Sequence, residues 1–151
     1  MRLDNCPYIS FDTETTGLQY MVDKVFGFSI ALPDGTTEYH DIRREPGIVD
    51  WFNDEMSRFE GKIICFNASF DYRMSESSGL YVPLSKLDDV AVRACLINEH
   101  EMSYSLDHLS EAIPFTEFIT NPLGLKVDQS RLASARQSDQ PSHVLAALLQ
   151  R

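Results

Sequence analysis

Apolar side chains early in the chain recur at every second position, and later ones at every third or fourth. The run Pro7-Tyr8-Ile9-Ser10 leads into Phe11 and predicts a first strand. From Lys24 to Leu32, the residues Phe26, Phe28, Ile30 and Leu32 fall on one face of an extended chain. Pro33-Asp34-Gly35 then turns it and Thr36 to Tyr39 brings it back, the pattern of a hairpin. Beyond the hairpin, Ile48, Phe52, Met56 and Phe59 mark one face of a helix that ends at Gly61. Ile63-Ile64-Cys65-Phe66 is a continuous apolar run, as in a central strand buried on both faces. The helical crossover before it predicts that this fourth strand runs parallel to a neighbour. Further helices are expected from about Asp89 to Asn98 and from about Ser105 to Ala112. A loop around Gln137 to Ser142 leads into a last helix, about Pro141 to Gln150, where Val144, Leu145, Leu148 and Leu149 keep helical spacing. The expected class is α/β: a mixed sheet of three antiparallel strands followed by parallel ones, with helices packed on it.

The end of the first strand carries the chemistry. Residues Phe11 to Leu18 read Phe-Asp-Thr-Glu-Thr-Thr-Gly-Leu. Alternation points Asp12 and Glu14 to one face of the strand, so their carboxylates converge. Unpaired, two such groups repel and are costly to keep ionised; hard divalent cations neutralise them. A single Asp-x-Glu pair is also compatible with a solvated strand end. A second acid stands in a similar setting, because in Cys65-Phe66-Asn67-Ala68-Ser69-Phe70-Asp71 the residue Asn67 reads as a helix cap and Asp71 lies about one turn inside the helix.

These two segments, in this order, resemble the first and second motifs of the DEDD (DnaQ-like) 3′→5′ exonuclease superfamily, nearest the proofreading domains of family A DNA polymerases. A third stretch, Leu87-Asp88-Asp89-Val90 through Ile97 and then Tyr104-Ser105-Leu106-Asp107-His108-Leu109, is similar to the helix, loop and helix start that follow there. The resemblance covers about Tyr8 to Ile113 and implies a ribonuclease H-like fold. It implies nucleotide removal from the 3′ end of single-stranded or frayed DNA by two-metal phosphodiester hydrolysis, with Mg²⁺ or Mn²⁺ held by Asp12, Glu14 and Asp71. In it Leu18 takes the position that wedges against the terminal base, Asn67 and Phe70 contact the terminal nucleotide, and Thr15 is placed to join them. Each keeps an ordinary alternative, core for Leu18 and Phe70, caps for Asn67 and Thr15.

Two departures limit the match. Phe66 stands where a His often precedes the Asn, a position that holds no metal. The third motif, a helix with Tyr-x-x-x-Asp or His-x-x-x-x-Asp, is missing: the last helix holds no acid, His143 has no Asp at the required spacing, and with Leu148 in the Tyr slot the Asp would fall just after Arg151. Asp128 and Asp139 are the late acids, both in loop-like sequence. The expectation is therefore a single exonuclease-like domain over residues 1–151 without its third motif. Three readings stay open: a weakened exonuclease, a fragment of a longer exonuclease or polymerase, and a silent domain that binds nucleic-acid ends or a protein partner such as a polymerase.

Composition narrows the partners. At 151 residues and 43% apolar, the chain suffices for one core. Its formal net charge of −10 argues against a broad basic surface for nucleic acid, but not against a nuclease whose cations bridge carboxylates to phosphate. Arg43, Arg44 and Arg73 are candidates for the few basic side chains such a site needs, and each reads more simply as an ordinary surface charge. Cys6, Cys65 and Cys95 form no Cys-x-x-Cys pair and are expected to be reduced and mostly buried. With no long apolar stretch and no apolar core near the start, a soluble cytoplasmic protein without membrane contact is expected. Neither a Gly-x-Gly-x-x-Gly nor a Gly-Lys-Ser/Thr loop supports a nucleotide-binding domain. DNA is the expected substrate, with RNA not excluded.

Overall fold

In the computed structural model, which describes residues 2–112 and side chains through Leu109, the alternating segments form one sheet. Its strands are β1 (Tyr8–Thr15), β2 (Val25–Ala31), β3 (Thr37–Asp41), β4 (Lys62–Cys65) and β5 (Leu87–Asp89), in the order β3-β2-β1-β4-β5. β2 pairs antiparallel with β1 and β3, whereas β4 pairs parallel with β1 and β5 with β4. The helices are α1 (Ile48–Arg58), α2 (Ala68–Ser77), α3 (Val90–Ile97) and α4 (Leu106–Ala112). The expected last helix, its preceding loop, Asp128, Asp139, His143 and Leu148 lie outside the described residues.

Alternation along β1 divides the sheet. Ile9 and Phe11 enter the core with Phe28, Phe52, Met56, Ile63, Ala68 and Met74, so α1 and α2 both pack on this face. Phe52 of α1 sits 5.3 Å from the Phe11 ring and 4.8 Å from the Phe28 ring, centroid to centroid. Each such ring taken from water contributes roughly 1.5–3 kcal/mol. The opposite face carries Ser10, Asp12 and Glu14 of β1 beside Ala31, Ser29 and Gly27 of β2. The hairpin closes as expected: Leu32 N–H bonds to the Thr36 carbonyl, the Asp34 carboxylate accepts from Thr36 N–H, and Gly35 has φ 90°.

β1 runs through Thr15, so Asp12 and Glu14 lie on one face of the strand as expected, where pairing with β2 holds them in register up to an irregularity between Glu14 and Thr15. Two local expectations are corrected. Leu87–Asp89 is a strand and α3 starts only at Val90; three residues that pair along β4 leave too short a pattern to read. Cys95 is exposed while Cys65 is buried and Cys6 is partly buried, and all three are free thiols.

Candidate active site

β1 is central, and its pairing with β2 fixes Asp12 opposite Ser29 and Glu14 opposite Gly27. Both carboxylates therefore stand on one face, each half-buried. Burial first, and then the charge of Glu14, push the Asp12 carboxyl up to about 6.

Asp71 approaches from the other side of the strand. It is 2% exposed on the first turn of α2. Its Oδ1 accepts the Thr13 N–H at 3.0 Å and the Thr13 hydroxyl at 2.7 Å. Burial pushes Asp71 up to about 7; the Thr13 hydroxyl holds against that rise, and the charge of Asp12 adds to it. Asp12 and Asp71 thus feel each other across β1. The structure brings Asp12 and Glu14 together and sets Asp71 within electrostatic reach. Among the described residues, however, no three His, Cys, Asp or Glu side chains converge closely enough to hold an ion as they stand.

The other expected residues divide. Leu18 is 82% exposed, which rules out the core alternative for it. The loop that presents it is built on Asp23, whose carboxylate accepts from the Thr16 hydroxyl and the Gln19 N–H. A Cβ at Gly17 would lie 2.5 Å from that carboxylate, so the close approach needs glycine. Thr15 donates its hydroxyl to the Gly17 carbonyl, fastening the same loop. Phe70 is partly buried against the core. Asn67 is at the expected N-cap position with φ 61°, but its side chain makes no cap bond and accepts from the Ser69 hydroxyl instead.

The missing cap comes from Asp89, which sequence reading passed over. Its carboxylate accepts the N–H groups of Asn67 and Ala68 at the start of α2 and that of Ala91 at the start of α3. Thr13 was missed as well, although a hydroxyl residue between two acids on a strand was the available signal. Arg43 and Arg44 pair with Asp41, and Arg73 lies 5.6 Å from the Tyr20 ring centroid. All three are exposed, in keeping with the surface reading.

Comparison with known proteins identifies the family and the fold. A family model described as 3′-5′ exonuclease matches residues 1–143. The chain is 52% identical to the DNA polymerase DpoZ of Vibrio phage phiVC8, over 68% of this chain and 18% of that protein. It is 31% identical to DNA polymerase I of Borreliella burgdorferi, over 72% of this chain and 12% of that one. The chain thus spans less than a fifth of the length of either polymerase. Among solved structures, Brucella melitensis NrnC with bound Mg²⁺ superposes with a TM-score of 0.54 at 18% identity, covering 97% of this chain and 68% of that one. The catalytic core of RRP6 from Trypanosoma brucei gives 0.54 at 16% identity, covering 96% and 37%. At such identities these two show the shared ribonuclease H-like fold. With the Asp12 and Asp71 motifs in place on that fold and a family model spanning nearly the whole sequence, the chain belongs to the 3′-5′ exonuclease family of the DEDD superfamily.

Proposed function

We propose that residues 1–151 form a single exonuclease domain that removes nucleotides from the 3′ end of DNA, with Asp12, Glu14 and Asp71 as its metal-binding acids. The observation that carries this is the pair Asp12 and Glu14 on the open face of the central strand, with a buried third acid coupled to Asp12 through β1. An all-oxygen donor set suits Mg²⁺ or Mn²⁺. The raised Asp12 and Asp71 carboxyls add to the fit, since acids crowded in this way gain most from a divalent ion that favours their charged forms. Held by these acids, divalent ions would supply a water of lowered pKa and would neutralise charge building on the phosphoryl and leaving oxygens.

The chain's own residues do the rest. Asp12 and Glu14 hold the cation face, and Thr13 fixes the Asp71 carboxylate from behind. Leu18, carried clear of the surface by the Asp23-built loop, wedges against the terminal base. Asn67 and the open part of Phe70 contact the terminal nucleotide, and Thr15 acts by holding the Leu18 loop. The DNA polymerase relatives favour DNA and a polymerase partner or host chain. A second reading, a silent domain that binds nucleic-acid ends, is favoured by one observation: no three acids yet converge among the described residues.

A 3′-labelled single-stranded DNA, incubated with Mn²⁺ or Mg²⁺, separates the two. Mononucleotide release that requires the metal, stops at a 3′-blocked end and falls at least 100-fold in Asp12→Ala supports the exonuclease. End binding without release supports the silent domain. Cleavage undiminished in Asp12→Ala overturns the site, and a matched RNA strand decides the sugar preference.

A further inference from the structure

An acidic site that receives a phosphate needs hydrogen-bond donors as well as cations, and donors are scarce on this face. Arg43 and Arg44, at the end of β3, are engaged with Asp41. The Ser10 and Ser29 hydroxyls on the same face are buried, whereas an exposed donor among the described residues is Tyr39. On β3 it pairs with Ser29, which in turn pairs with Asp12, so its side chain rises from the same face as the acids. Its ring leans along that face over Gly27: a Cβ there would lie 2.3 Å from the Tyr39 hydroxyl and 2.7 Å from the ring carbon that bears it. Gly27 is the residue paired with Glu14. Glycine at this one position thus lets a ring from the edge strand cross β2 toward Glu14.

The hydroxyl it delivers is available. Tyr39 is 42% exposed, and among the described residues its hydroxyl has no hydrogen-bond partner. A phenol is protonated at neutral pH and can donate.

We propose that the Tyr39 hydroxyl is a substrate-binding donor, hydrogen-bonded to a phosphoryl oxygen of the nucleotide seated at Asp12 and Glu14, and that Gly27 exists to let it reach there. The proposal rests on the exonuclease reading for the identity of its ligand, and its test is separable from that reading. Thymidine 5′-monophosphate and thymidine are titrated in Mn²⁺ against the parent, Tyr39→Phe and Gly27→Ala. Tyr39→Phe keeps the ring and removes only the donor, so binding of the monophosphate should weaken at least fivefold while thymidine binding stays unchanged. Gly27→Ala pushes the ring aside and should give the same selective loss; the double variant should lose no more than either single one. Equal weakening for both ligands, or none for either, overturns the proposal, as does a parent that does not bind the monophosphate. Should Gly27→Ala fail to fold, Tyr39→Phe alone decides. On the 3′-labelled strand Tyr39→Phe should lose at least tenfold in kcat/KM. A parent that binds the monophosphate but cleaves nothing sinks the exonuclease reading and leaves the binding test standing.

Discussion

At the scale of single residues, the most consequential group is Asp71. Its carboxyl, at about 7 in the fold against about 3.8 when exposed, keeps its proton in the folded state through a range where the unfolded chain has lost it. The folded state binds more protons there, so stability falls as pH rises from about 4 to about 7 and is flat above. Asp71→Asn removes that slope while its amide oxygen can still accept from Thr13. In chelator, it should therefore be more stable than the parent at pH 8, by on the order of 1–3 kcal/mol, and about equal at pH 4. Urea melts at both pH values check this, and a variant no more stable at pH 8 contradicts a desolvated Asp71. The pair Asp12 and Glu14 was legible in sequence because a two-residue spacing on a strand has one outcome. Thr13 was not, because its role depends on a carboxylate far away in the chain.

Elements here depend on one another more than their sequences show. Asp89 serves the N-termini of α2 and α3 at once, and α2 carries Asp71. Replacing a capping acid by alanine costs about 0.5–2 kcal/mol at a single helix. Asp89→Ala should thus lose about 1–4 kcal/mol, measured as the shift in urea midpoint at constant slope, and should also blunt activity by loosening Asp71. A loss below about 0.5 kcal/mol would mean that water replaces both caps. Asn67 looked like the cap because Asn is favoured there. The left-handed backbone at φ 61° turns its side chain away from the task, a geometry that local preference does not reveal. β5 escaped notice for a related reason: its strand character comes from pairing with β4, not from a run of its own.

For the molecule as a whole, a net charge of −10, part of it in the Asp12–Glu14 pair on one strand face, means that cations should bind the folded state and stabilise it. Millimolar Mn²⁺ should raise the melting temperature of the parent by several degrees, equivalent to about 1–3 kcal/mol. Asp12→Asn should lose most of that gain. An equal shift in both would place the ion elsewhere. No helix among the described residues is long and apolar enough to cross a membrane.

Sequence by itself determined the order of the first four strands and of the helices among them, the mixed sheet and the Asp12–Glu14 pair. Each of these follows from periodicity or from spacing within one element, where neighbours in the chain are neighbours in space. Tertiary structure alone decided how Asp71 meets β1 through Thr13, how Asp89 caps two helices, why Leu18 stands out from the surface, and that Tyr39 lies over Gly27 beside Glu14. All four join residues from different elements, and the side-chain directions and backbone approaches that create them exist only once the sheet is assembled.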